Sequence, residues 1–141
     1  INIGIYLGEL MGKSLVKSNR FNSIDALIPL PLFSEKEHKR GYNQAAVICN
    51  GISSVMNIPV LTGAVIRQHA TETQTRKHRT ERWENVKGSF KVLKENELRN
   101  KHLLLADDVV TTGATLEACG SVITEIENTK LSVATLAWAA K

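Results

Sequence analysis

Apolar positions along the chain fall into two kinds of pattern. Ile3, Leu7, Leu10, Met11 and Leu15 recur at close to helical spacing, as do Val47, Ile48, Ile52 and Val55, which predicts two helices, the first broken at Asn19–Asn22 and the second ended by Asn57. Thr115–Glu127 returns to the same period. Between these stretches stand continuous apolar runs, Ile24–Leu30, Ile58–Ile66, a short SFKVL around Phe90, Leu103–Asp107 and Leu131–Ala139. Runs of this kind belong to strands covered on both faces, so their alternation with helices predicts an α/β fold with a mostly parallel central sheet and helices on both faces. Ligands of such sheets bind beyond the carboxyl ends of the strands.

One strand end carries unusual chemistry. In LLLADDVVTTGAT, residues 103–115, an apolar run drives into two adjacent carboxylates, Asp107 and Asp108. A buried carboxylate is costly unless something compensates it, and the expected compensation is a ligand. Val110, Thr111, Thr112, Gly113, Ala114 and Thr115 then form a tight turn opening a helix. Successive backbone N–H groups and the helix N-terminus suit an anion, the threonines add hydroxyls, and Gly113 permits a close backbone approach. Adjacent carboxylates suit a donor such as a vicinal diol, with Mg²⁺ nearby. Phosphate plus diol describes a ribose phosphate. Each piece has an ordinary structural explanation, Asp108 ending a strand and Thr115 capping a helix, but the whole string has a better one as a site. It is not a nucleoside-triphosphate P-loop, because no lysine follows Gly113. The stretch GELMGKS near the front resembles that motif with one residue too few, and Gly12, Lys13 and Ser14 read as helix surface.

Composition changes this picture little. The 141 residues, 43% hydrophobic and 23% charged, fit one domain over 1–141 with an ordinary core. The chain opens on Ile1 and enters a helical pattern at once, so a piece of a longer protein lacking its N-terminal segment is expected. No apolar run reaches the roughly 20 residues of a membrane span and no secretory signal opens the chain, so no membrane insertion and a cytoplasmic location are expected. Cys49 and Cys119 read as small buried hydrophobes within helices. His38, His69, His78 and His102 lack metal-ligand spacing. Trp83 and Trp138 read as packing residues.

A net charge of +4 favours an anionic partner, and its distribution says more. A polar, basic stretch, FSEKEHKRGYNQ, follows the strand ending at Leu30. Residues 67–88, RQHATETQTRKHRTERWENVKG, hold Arg67, Arg76, Lys77, Arg79, Arg82 and Lys87 against three glutamates with little apolar content. Structureless connections beyond about 12–15 residues are usually functional lids or linkers, although a solvated helix accounts for these residues equally well.

LLLADDVVTTGAT resembles the signature of type I phosphoribosyltransferases that binds 5-phosphoribosyl 1-pyrophosphate (PRPP). PLPLFSEKEHKRGYNQA and QTRKHRTERWENVKGSF, with Gln74, Thr75, Arg79, Arg82, Asn85, Gly88 and Phe90, resemble the competence protein ComF family, whose domain is amidophosphoribosyltransferase-like. Together these stretches span most of Pro29–Leu116. The resemblance implies that Asp107 and Asp108 hold the ribose hydroxyls, directly or with Mg²⁺ bound through water, and that Val110–Thr115 hold the 5′-phosphate. It implies a pyrophosphate loop at Leu30, Pro31, Leu32, Phe33 and Ser34, joined by Arg40, where donors stabilise the leaving group. Arg40, Gly41, Asn43 and Gln44 can instead tie this loop to the next helix. A lid bearing Arg79 and Arg82 as the catalytic cations would exclude water while charge builds on the sugar.

Three functions follow as expectations. The first is Mg²⁺-dependent transfer of the phosphoribosyl group from PRPP, or from another ribose 5-phosphate compound, to an unknown acceptor with release of pyrophosphate. No hood segment for the acceptor is recognisable, and neither is a glutaminase domain. The second is a non-catalytic PRPP-binding or adaptor protein in competence and DNA uptake, with a helicase partner. The third, direct binding of single-stranded DNA, is weakened by an aromatic content of 5%. Relatives with a cysteine-rich zinc segment carry it before this domain.

Overall fold

The computed structural model describes residues 2–68 and 88–139. Its elements in chain order are α1 (Ile3–Ser18), β1 (Ala26–Pro29), α2 (Ser34–Arg40), α3 (Gln44–Met56), β2 (Val65–Arg67), β3 (Phe90–Val92), α4 (Glu95–Leu98), β4 (His102–Val110), α5 (Ala114–Thr124) and β5 (Lys130–Trp138).

The main sheet has the order β1-β4-β5 and both pairings are parallel, as continuous apolar runs require. Side chains alternate across it. Ala26, Ile28, Leu103 and Leu105 face α5, where Ala118, Cys119 and Ile123 meet them. Leu27, Leu104 and Ala106 face α3 through Ile48, Cys49 and Ile52. Helices therefore lie on both faces. Cys49 and Cys119 are free, buried thiols whose pKa burial pushes up to about 12, as expected of small core residues.

Two expectations about strands and loops are corrected. The run Ile58–Ile66 is not one strand. Pro59 accepts from Leu27 N–H and Leu61 donates to Leu27 C=O, giving a single bridge at Val60. Gly63, at φ +78°, then turns the chain into β2, which pairs antiparallel with β3 outside the main sheet. The basic stretch after Leu30 is not a loop throughout, since Ser34–Arg40 forms α2, stopped by Gly41 at φ +88°.

The first helix has an unexpected buried line. Ile3 and Leu10 are 70% and 42% exposed, while Gly4, Gly8 and Gly12 are buried against α3. A Cβ on Gly8 would collide with the Ile48 carbonyl oxygen, and one on Gly51 with that of Ile5, so the two backbones touch. Gly12 is thus an interface residue, although Lys13 and Ser14 are surface as read. Trp138 is also corrected, lying 71% exposed at the end of the edge strand β5.

Candidate functional site

Unequal strand lengths open the site. Pairing between β1 and β4 stops at Pro29–Ala106, where Leu30 N–H donates to the Ala106 carbonyl. Strand β4 continues to Val110, paired only with β5. Asp107 and Asp108 therefore lie not at the strand's last residue but on an overhang whose free edge faces a cleft. The Asp108 N–H donates to Asp107 Oδ1 at 2.8 Å, and the Val109 N–H to Asp108 Oδ1 at 2.7 Å, so each carboxylate is oriented by the backbone.

Past β4 the chain turns at 111–113 and enters α5. Gly113 sits at φ +81° as the N-cap, a conformation that other residues adopt only at a cost, and it gives the helix no side-chain cap. The Thr112 hydroxyl accepts from Ala114 N–H at 3.2 Å. The opening N–H groups of a helix have no partner within it, so the first turn of α5 presents donors and its positive dipole end to the cleft. Thr115 lies inside the helix rather than capping it.

The cleft, about 230 Å³, brings together Asp107, Asp108 and residues 110–115 with Leu30, Leu32 and Arg40 from the β1–α2 segment. The remaining residues of that segment point elsewhere. Pro31 and Ser34 line a wider adjoining groove of about 1270 Å³, and the Phe33 ring stacks on Arg67. Asn43 accepts from Ala45 and Ala46 N–H through Oδ1 while its Nδ2 donates to the Leu30 carbonyl, so it ties the loop to α3. Arg79 and Arg82 lie outside the described residues, as do His69, His78 and Trp83. His102 sits at the opposite end of β4, its ring bridging Ser23 and Ser132 at 2.8 Å each.

Sequence pattern does not place Arg67 in the cleft: the apolar run stops at Ile66 and the residue reads with the polar stretch, its one distinguishing mark being an arginine at the end of an apolar run. Arg67 lines both the cleft and the groove.

The electrostatics fit a site that awaits a donor or a cation. Burial pushes the Asp107 carboxyl up to about 6, with Asp108 adding repulsion and Arg67 opposing the rise. Among the described residues no group of three or more His, Cys, Asp or Glu side chains can hold a metal. Two carboxylates alone suit Mg²⁺ only as a cation shared with ligand oxygens and water, which is how that ion is commonly held. No described helix is long and apolar enough to cross a membrane.

Comparison with known proteins agrees with this geometry. Residues 43–141 match the model of the phosphoribosyl transferase domain. Competence protein F of Haemophilus influenzae is 34% identical over 103 residues, 72% of this chain and 45% of the relative. DNA utilization protein YhgH of Escherichia coli K12 is 33% identical over 92 residues, 65% of this chain and 40% of the relative, so the chain spans less than half the length of either. Among solved structures, the glutamine PRPP amidotransferase from Bacillus subtilis complexed with ADP and GMP superposes with a TM-score of 0.65 at 14% identity, covering 94% of this chain and 26% of that one. That likeness shows the fold, a type I phosphoribosyltransferase fold. The chain belongs to the phosphoribosyl transferase domain family, and within it to the competence protein F group.

Proposed function

We propose that the cleft binds PRPP and that the protein transfers its phosphoribosyl group to an acceptor with release of pyrophosphate. The observation that carries this reading is the convergence on one cleft of an uncapped helix start at 113–115, two oriented carboxylates on the β4 overhang and the Leu30–Leu32 loop. In this assignment Val110–Thr115 hold the 5′-phosphate through backbone N–H groups and the Thr111, Thr112 and Thr115 hydroxyls. Asp107 and Asp108 accept hydrogen bonds from the ribose hydroxyls and so orient the sugar. The pyrophosphate lies toward Leu30, Leu32 and Arg40, with Pro31, Phe33 and Ser34 shaping the loop. Arg79 and Arg82 are assigned to charge neutralisation from the sequence alone.

The reaction breaks the bond between the anomeric carbon and the pyrophosphate oxygen, whose electron pair leaves with pyrophosphate. The acceptor's lone pair forms the new bond and its proton passes to solvent. Mg²⁺ bound with PRPP would neutralise phosphate charge, with Asp107 and Asp108 the residues beside it. Holding the sugar at both ends lowers the entropic cost of reaching the reactive geometry.

Two relatives carry the names of a competence protein and a DNA utilization protein, which suits a second reading in which PRPP binding serves an adaptor role in DNA uptake without turnover; a helicase partner is an expectation of the family resemblance alone. Pyrophosphate release from PRPP and Mg²⁺, measured across a panel of nucleobases and amines, separates the two. Acceptor-dependent release that disappears in Asp107→Asn/Asp108→Asn supports transfer. Tight PRPP binding with no release under any acceptor supports the adaptor, and absence of binding refutes both.

A further inference from the structure

Arg67 lines the cleft, yet the assignments above give it no role. It is the last residue of β2 and is held from both sides. Phe90 is its direct partner on β3, and Phe33 its partner in a parallel bridge, so register alone sets a ring on each side of its side chain. The Arg67 Cζ lies 4.4 Å from the Phe33 ring centre and 5.2 Å from that of Phe90, both within cation–π range. The Gln68 N–H donates to the Ser89 carbonyl at 2.6 Å, closing the end of this ladder.

The stack fixes the guanidinium without neutralising it. Among the described residues its Nε is buried with no hydrogen-bond partner. Burial lowers its pKa below the ordinary arginine value, against the pull of the nearby Asp107 charge, but an arginine stays protonated at any working pH. A cation held in place in the wall of the cleft, beside the Asp107 carboxyl, has an anionic ligand group as its complement. Its neighbours decide which part of the ligand that is: Phe33 belongs to the loop after β1, and the adjoining groove that Arg67 also lines contains Pro31, Leu32 and Ser34 but none of residues 107–115.

We infer that Arg67 is the fixed cation of the pyrophosphate side of the cleft, with Phe33 and Phe90 as the positioning residues that hold its guanidinium flat for that contact. This rests on the PRPP reading and adds to it a preformed charge built into the β2–β3 ladder. Because the side chain is already immobilised, little rotamer freedom is lost when the ligand docks.

The test compares PRPP and ribose 5-phosphate, which share the 5′-phosphate and the diol and differ in the pyrophosphate. Affinities of both, with Mg²⁺, are measured by calorimetry for the protein and for Arg67→Met, with thermal melts reporting folding. The expected result is a loss of tenfold or more for PRPP and less than twofold for ribose 5-phosphate. Arg67→Lys, which keeps charge but not the stack, should lose three- to fivefold for PRPP alone. Phe33→Leu should do the same and Phe33→Tyr should restore affinity, which a purely structural role for the ring would not produce in one ligand only. If Arg67→Met does not fold, these milder variants carry the test. Equal losses for the two ligands, or unchanged PRPP affinity, overturn the inference while leaving the PRPP reading intact. Failure of the parent protein to bind either ligand overturns both.

Discussion

Helices α3 and α5 begin at the same cleft and are built in opposite ways. At α3, Asn43 closes the N-terminus with two hydrogen bonds from Ala45 and Ala46 and anchors the Leu30 carbonyl with its amide. At α5, Gly113 closes nothing, and the preceding turn contributes only the Thr112 hydroxyl to Ala114 N–H. The first arrangement spends its donors on holding the fold together, and the second keeps them for a ligand. Two helix starts with equal dipoles therefore carry different functions, and the side chain at the N-cap position separates them.

The largest expected effect removes the partners of the α5 turn on β4. Asp107→Asn/Asp108→Asn should weaken PRPP binding by about 100-fold or more, since two hydrogen bonds to charged acceptors are each worth roughly 1.5–3 kcal/mol. Titration calorimetry with Mg²⁺ measures it, and a loss below threefold would remove the carboxylates from the site. Next is Gly113→Val, which forces a β-branched residue to φ +81° at a cost of about 1–3 kcal/mol. PRPP affinity should fall about tenfold while the melting temperature falls modestly, since a Cβ there meets nothing nearer than Val110 Cγ2 at 3.9 Å.

Asn43→Ala should cost stability without costing the ligand. Loss of a cap costs about 1–2 kcal/mol of stability, read from urea denaturation, with PRPP affinity changed less than threefold. An affinity loss exceeding that of Gly113→Val would invert the comparison. The smallest effect concerns pH. With its native pKa raised to about 6 against roughly 3.9 for an unfolded aspartate, Asp107 keeps a proton in the native state that the unfolded chain has released. Stability of the metal-free protein should therefore be highest below that window and decline as pH rises from about 4 through about 6. Asp107→Asn should flatten the decline, and an unchanged slope would assign it to other groups.

Much of this contrast was legible in the chain. The strand runs, the helix after Gly113 and the aspartate pair follow from hydrophobic period and from the cost of carboxylates at the end of an apolar strand. What was not legible carried no hydrophobic signal. Gly4, Gly8 and Gly12 carry no side chain, so the line along which α1 meets α3 is invisible to any hydrophobic pattern, and the apolar residues beside it misdirect the reading. The overhang of β4 depends on where β1 stops, a property of two distant segments. Arg67 acquires its place from Phe33 and Phe90, 34 and 23 positions away in sequence, which only the strand register brings together.

Amide chemical shifts during titration with PRPP and Mg²⁺ test the central claim most directly. The account predicts large downfield shifts at Thr111, Thr112, Gly113 and Thr115, with the Ala45 and Ala46 amides, already bonded to Asn43, nearly unmoved. Shifts concentrated at Ala45 and Ala46, or none at the α5 turn at saturating ligand, would contradict it.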